Sequence, residues 1–433
     1  MSENTATAEA LPAPPAAPPG TATQAGPVPF TPYQKFVAGA LAFLQFTIIL
    51  DFMIIAPLGA MLLRDLHIST KQFGLVVSGY AFAAAISGIL AAGFADRFDR
   101  KKLLLFFYLG FTGGTLLCGL APTYQSLLAA RVVTGLFGGV IGSISMAIIT
   151  DLFPFNMRGR VMGIIQSAFG ASQLLGLPLG LFLANHWGWH APFLLIAGLT
   201  VVAGGLIFAR LQPIDGHLKL QRDGHNPFVH LLRTVAEPRY MATFGTTILL
   251  ATGGFMLMPF STTFSTNNLG ISFSQLPTIY LVTGACTLLS GPLVGRLSDR
   301  MGKYRLFVAG TTLASIVVLF YTHLGRTPLA VVILISVVMF VGITSRMISA
   351  SALISAVPDP AHRGSFMSVN ASLQQAAGGV GAYCAGLIVV QQSNGNLAHY
   401  DVLGYVVVAA MAVTVLMLKP IDRQVKASMA ARG

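Results

Sequence analysis

One carboxylate stands alone deep inside an apolar stretch of this chain. Asp51 lies in Leu50-Asp51-Phe52-Met53-Ile54-Ile55-Ala56-Pro57-Leu58, whereas Asp151 falls at the end of another stretch. A bilayer-crossing helix needs about 20 apolar residues at about 1.5 Å each, which puts Asp51 near the membrane centre. Insertion of an ionised Asp there costs roughly 2.5–3.5 kcal/mol. A carboxyl removed from water suits proton carriage or pairing with a cationic substrate; the alternative is a structural hydrogen bond to a neighbouring helix. Arg131 lies about one and a half turns inside the fourth apolar stretch and stays charged under all conditions. If it approaches Asp51 in one conformation and not in another, the two states differ in proton affinity. Bonding to carbonyls or snorkelling outward is the structural alternative. Arg346 is the third such charge. It holds an anionic group if its helix continues to about 355, and snorkels if that helix stops near 350.

Amides supply further candidates for a cavity. Gln166, Gly170 and Gln173 share one helical face by i, i+4 and i+7 spacing, and Asn370 shares one with Gln374. Facing a cavity they suit hydroxylated or amide-bearing compounds; facing a neighbour they are interhelical hydrogen bonds. His186 and His190 are four apart, but a Gly-broken loop and the lack of a third ligand argue against a metal site. Cys118, Cys286 and Cys384 sit in apolar runs without ligand spacing. No phosphate-binding Gly-Lys-Ser/Thr loop and no nucleophile-base array occurs, so neither an ATP-driven pump nor an enzyme is expected, and no cofactor.

The elements that position these groups are membrane helices. The 433 residues are 54% hydrophobic and 9% charged, with mean hydropathy +0.73, against about 25% charged in soluble domains. Twelve spans are expected near 35–63, 72–95, 102–121, 125–152, 161–184, 190–211, 239–265, 275–298, 305–323, 328–355, 364–390 and 400–418. The polar link 212–238 divides them six and six, giving bundles 33–211 and 239–418. Residues 1–32 read as a disordered Pro/Ala-rich tail and 419–433 as a second tail. The net charge of +12 sits in short clusters between spans, which reads as topology and not nucleic-acid binding. Arg97, Arg100, Lys101, Lys102, Arg158, Arg160, Arg300, Lys303, Arg305 and Arg363 fall on one side; Arg64, Lys71 and Arg326 fall on the other. Both termini are therefore expected in the cytoplasm.

The halves repeat. Ala92-Gly93-Phe94-Ala95-Asp96-Arg97-Phe98-Asp99-Arg100-Lys101-Lys102 returns as Gly295-Arg296-Leu297-Ser298-Asp299-Arg300-Met301-Gly302-Lys303-Tyr304-Arg305. Arg158-Gly159 returns as Arg363-Gly364, and the Gly-rich fifth span as the Gly-rich eleventh. Acid and base recur together in both loops.

Twelve helices in repeated halves with these loops resemble the major facilitator superfamily over residues 36–418. The loops follow its Gly-x-Leu-Ala-Asp-Arg-x-Gly-Arg-Lys pattern, the second copy closely, the first with Ala92 and Asp99 at glycine positions. Three stretches are similar to its drug:proton antiporter and arabinose-efflux-like branch: the first-span segment around Asp51, Arg131-Val132-Val133-Thr134-Gly135, and Gly176-Leu177-Pro178-Leu179-Gly180 with Gly188-Trp189 and Pro192-Phe193. The resemblance implies that Asp96, Arg97, Arg100, Lys101, Asp299, Arg300 and Lys303, with Asp151 joining, hold the cytoplasmic ends together in the outward-facing state. It also implies packing roles for Gly135, Gly176, Pro178 and Gly180.

The expectation is an all-α integral membrane protein of two pseudo-symmetric six-helix bundles. It exports a small organic compound (drug, sugar or metabolite) by proton antiport through alternating access, as a monomer in the bacterial inner membrane, with the proton gradient as energy source. A proton symporter or facilitator for nutrient uptake is the first alternative, and a non-transporting receptor the second.

Overall fold

The computed structural model describes residues 29–91, 97–219, 235–358 and 363–430. Most of the expected N-terminal tail, Asp96 and most of the central link lie outside them.

The first six expected spans contain eight helices: α1 (Pro32–Ile54), α2 (Gly59–Asp65), α3 (Thr70–Ala91), α4 (Arg100–Gly119), α5 (Tyr124–Leu152), α6 (Phe155–Ala171), α7 (Leu177–Trp187) and α8 (Ala191–Arg210). The last six are α9 (Pro238–Asn267), α10 (Leu276–Met301), α11 (Lys303–Thr322), α12 (Leu329–Ala356), α13 (Arg363–Ile388) and α14 (Tyr400–Ala430). Eleven helical stretches among the described residues are long and apolar enough to cross a membrane. The remaining expected span is α13, 26 residues long, whose Asn370, Gln374 and Gln375 put it outside that set.

Prolines account for the two interruptions that apolar periodicity does not reveal. The first span is expected to run over 35–63, yet α1 stops at Ile54 and the chain turns before α2. Pro57 has no N–H to continue the ladder, and its ring crowds the carbonyl four residues back. The fifth span is broken by a π-turn at Ser172–Gly176 just ahead of Pro178. Ser172 then donates to the carbonyls of both Phe46, at 3.1 Å, and Ala168, at 2.8 Å, tying the turn to α1. Residues 419–430 also differ from expectation: they continue α14. Leu418, Ile421 and Val425 are buried on one face, and Lys426 pairs with Asp422 at 2.6 Å. Their spacing is that of an amphipathic helix.

Among the described residues the buried apolar side chains form three clusters, and their distribution defines the conformation. One cluster lies at the end of the molecule opposite the Arg97–Lys102 loop and draws on both halves, including Ile54, Phe73, Phe193, Phe260, Phe264 and Tyr400. The other two lie at the loop end, and each belongs to one half: Leu104, Phe107, Ile144 and Ile207 in the first, and Tyr240, Phe307, Phe366 and Ile421 in the second. The halves are therefore joined at one end and separately packed at the other. Polar contacts reinforce the joined end. Thr70 donates to the Val389 carbonyl at 2.6 Å, and Asn185 to that of Phe273 at 2.9 Å. A two-stranded hairpin, β1 (Val390–Gln391) with β2 (Leu397–Ala398), lies at this end. Asn268 holds it by bonding both polar backbone groups of Leu397 at 2.9 Å.

Within the first half α3 packs on α5, α4 on α5 and α8, and α1 on α6 and α8; within the second, α9 packs on α13 and α14, and α11 on α12 and α14. Between halves the longest seam is α3 on α13, where Gly74 meets Gly386 without side chains on either side. Gly135 of α5 lies directly on the Tyr80 carbonyl of α3, leaving no room for a Cβ. Small residues are what allow such approach in lipid, where apolar surface alone gives helices no reason to associate. Gly135→Ala forces α5 off α3, at an overpacking cost of about 1–3 kcal/mol. The expected outcome is a lower thermal midpoint in detergent than for Gly113→Ala, whose site is open; equal midpoints would refute the close approach.

Candidate functional site

Two charged side chains with no solvent exposure meet between α1 and α5. Arg131 Nη1 donates to Asp51 Oδ2 at 2.7 Å and to the Asp51 backbone carbonyl at 3.4 Å. Thr115 of α4 donates to the other carboxylate oxygen, Oδ1, at 3.1 Å. The Arg131 guanidinium lies 4.4 Å from the Tyr80 ring centroid of α3, a cation–π contact in a site without water exposure. Cys118 and Thr134 complete the surroundings at 3.7 Å from each other. Arg131 Nε and Nη2 are buried without a hydrogen-bond partner, so the guanidinium uses only part of its donor fork in this state. Four helices hold this pair, and the π-turn and α7 support it from behind: Gly176 of the turn packs on Leu50 and Gly180 of α7 on Ile54, on either side of Asp51, and Pro178 of α7 is buried.

A cleft of about 160 Å³ opens among α9, α12 and α13. Asn370 and Gln374 line it, as does Thr247, whose hydroxyl donates to Asn370 Oδ1 at 2.7 Å. Phe255, Met347 and Met367 supply its apolar wall. The other expected cavity residues fall elsewhere. Arg346 is 4% exposed and lies outside the cleft: Nε donates to Thr311 at 3.1 Å, Nη2 to Thr414 at 3.5 Å, and Phe307 lies beneath the guanidinium. Because α12 runs to Ala356, Arg346 does not snorkel; it faces α11 and α14. Gln173 is buried in the π-turn, which packs on α10, and Gln166 is exposed on α6.

The contacts described for Arg100, Lys101 and Asp151 lie within the first half. Arg100 Nε pairs with Asp151 Oδ2 at 3.3 Å, and Lys101 donates to the Phe208 carbonyl at 3.0 Å. Arg97 and Arg300 are exposed, and Lys303 is half-buried at the start of α11. Asp96 and the Asp299 side chain lie outside the described residues.

The family model of the Major Facilitator Superfamily matches residues 41–382 and, separately, 243–428. The chain belongs to that superfamily. It is a multi-pass membrane transporter by family and fold. Among curated relatives, the transporter is 28% identical over 270 residues to the MFS-type transporter YceJ of Bacillus subtilis (strain 168), covering 62% of this chain and 68% of that protein. It is 22% identical over 380 residues to YbcL of the same organism, covering 88% and 95%. Over a shorter stretch of 144 residues it is 33% identical to Multidrug resistance protein 3 of that organism, covering 33% of this chain and 28% of that protein. Among solved structures it shares the fold of the nucleoside transporter NupG, with TM-score 0.72, 14% identity and coverage of 89% and 99%. It also shares that of a bacterial homologue of the human lysosomal transporter Spinster, with TM-score 0.67, 18% identity and coverage of 93% and 98%.

Sequence reasoning passed over Tyr80, Thr115 and Phe52, which surround the transporter's charge pair. Their signal was faint: each is a single polar or aromatic residue whose facing depends on helix rotation. Asp99 was missed for a different reason. It stands at a glycine position of the loop pattern, and the structure shows it capping α4 by accepting from the N–H groups of Lys101 and Lys102.

Removing one partner of a buried charge pair costs more than removing both. Arg131→Met alone is expected to destabilise the transporter by roughly 3–5 kcal/mol, and Asp51→Leu with Arg131→Met by less. Thermal unfolding in one detergent checks this; a double variant no more stable than Arg131→Met would mean that the pair is not energetically coupled.

Proposed function

We propose that this transporter exports small organic compounds by proton antiport, with the Asp51–Arg131 pair as the proton-coupling element. The observation that carries the reading is the sealed contact itself: the one acid deep in a span meets a permanent cation at 2.7 Å, with no solvent exposure on either side. Adding a proton to Asp51 removes the negative charge that Arg131 holds and leaves the guanidinium seeking new acceptors. A buried cation in that position is costly, so protonation favours a different helix arrangement. Two arrangements with different proton affinity, opening to opposite sides, are what antiport needs.

The Lys/Arg asymmetry supports a loop end in the cytoplasm, which makes the present state open inward, with both termini inside and a bacterial inner membrane as the setting. Bundles 33–211 and 239–418 rock against each other, and the proton gradient supplies the energy without a cofactor. On this reading Arg97, Arg100, Lys101 and Asp151, with Asp96, pair across the seam with Asp299, Arg300 and Lys303 when the loop end closes. The packing of Gly176 and Gly180 on Leu50 and Ile54, in the stretch with Pro178 that resembles the antiporter branch, supports the antiporter direction. So does the partial likeness to a multidrug resistance protein.

The test is proton release from the purified transporter in weakly buffered detergent, scanning sugars, lipophilic cations and uncharged aromatic compounds. Release on adding one compound, absent in Asp51→Asn, is the expected result. Binding without release in either protein would overturn antiport and leave facilitated movement or another coupling ion.

A further inference from the structure

A row of rings connects the α9–α12–α13 cleft with the charge pair. Phe255 lines the cleft, and its ring meets that of Phe52 on α1 edge-on, with centroids 5.7 Å apart. Phe52 in turn lies 5.3 Å from Tyr80, whose other neighbour is the Arg131 guanidinium at 4.4 Å. Phe52 is also the residue next to Asp51. Thus four contacts lead from the cleft in one half to the carboxylate in the other. Phe255 is seated on Gly378 of α13, whose missing Cβ leaves the ring its place; an added Cβ would stand 3.0 Å from Cδ2. Phe255 thus sits between Gly378 and Phe52, so an occupant pressing on its ring bears on the contact with Phe52.

The cleft also states what would fit. Among the described residues, none of the lining side chains is an acid or a base, and Asp51, with no exposed surface, cannot reach an occupant. An aromatic face and two thioethers favour a ring, while Thr247, Ser351, Asn370 and Gln374 offer hydrogen bonds to a polar substituent. A cavity of about 150 Å³ holds a benzene-sized ring, which matches the size found here.

Resting on the transport reading above, we propose that the Phe255–Phe52 contact transmits occupancy of this cleft by an uncharged, ring-bearing compound to the Asp51–Arg131 pair. Phe52 and Tyr80 are positioning residues. An occupant displaces Phe255, Phe52 shifts against Tyr80, and the support beneath Arg131 changes without direct contact between occupant and acid. Among the described residues, the charged and titratable groups around Asp51 are the permanent cation Arg131 from α5, Tyr80 from α3, and Cys118 and Tyr108 from α4, the last bonded to Thr47 one turn away at 3.1 Å. Helices α6, α7 and α8 carry their charged and titratable residues only near their ends.

The experiment uses three compounds of one shape and different charge: benzamide, benzamidinium and benzoate. Binding to the purified full chain in detergent is followed by saturation-transfer NMR from pH 5.5 to 8.5. In wild type, benzamide should bind saturably, with neither ion competing. Its dissociation constant should rise at least about fivefold as pH falls, because proton and occupant oppose each other. Asp51→Asn should bind benzamide with a flat profile. Phe52→Leu, which leaves every cleft side chain in place, should also bind with a flat profile, as should the volume-conserving Phe52→Met. A merely structural role for Phe52 would lower stability but keep the slope.

Absence of saturable benzamide binding, or competition by benzamidinium or benzoate, overturns the proposed occupant. A full pH slope in both Phe52 variants overturns the link. A flat wild-type profile alongside proton-driven export from vesicles refutes the link and leaves antiport standing. A slope lost in Phe52→Leu, without proton-driven export, leaves the link standing and refutes antiport.

Discussion

The position of α3 governs the rest of the molecule. It is pressed on one side against α5, where Gly135 meets the Tyr80 carbonyl, and on the other against α13, where Gly74 meets Gly386. Inside a membrane such close backbone approach replaces the hydrophobic drive that packs soluble helices. Because α3 touches both neighbours without intervening side chains, it cannot rotate without moving one of them. That fixes Tyr80 beneath Arg131 and brings Phe82 onto Gly379 across the seam. The helix belongs to one half by sequence and to both by contact.

The charge pair depends on that placement. Asp51 receives one donor from α4 and one from α5, and the π-turn and α7 fit around the same turn through Gly176 and Gly180. None of these helices could hold the carboxylate alone. In low dielectric an ion pair must compensate a large desolvation cost by good geometry, yet Arg131 leaves two nitrogens without partners. The site is thus well satisfied at the carboxylate and incompletely satisfied at the guanidinium.

Much of this was legible in the sequence because membrane helices announce themselves by length and apolarity, and because Asp51 and Arg131 violate that apolarity. The paired loops revealed the duplication for the same reason. What the sequence did not disclose depends on rotation about helix axes or on proline. Arg346 and Asn370 are both polar residues in apolar spans, but one faces α11 and α14 and the other the cleft; spacing alone does not say which way a helix turns. The break at Pro57 and the π-turn before Pro178 lie inside runs whose hydropathy is uninterrupted. The extension of α14 to Ala430 was hidden by its charges: Lys419, Arg423 and Lys426 are exposed and Asp422 is buried beside Ile421, on a helix whose other face is apolar and buried.

The uneven distribution of the three apolar clusters also bears on temperature. Where lipid-facing helices part, lipid refills the gap and little free energy changes; where the joined end parts, water enters a core containing Phe73 on Phe260 and Phe264 stacked on Tyr400. The hydrophobic contribution, weak elsewhere in this molecule, therefore acts at that one end. It weakens on cooling. On the proposed alternating-access reading, cooling therefore loosens the hairpin end.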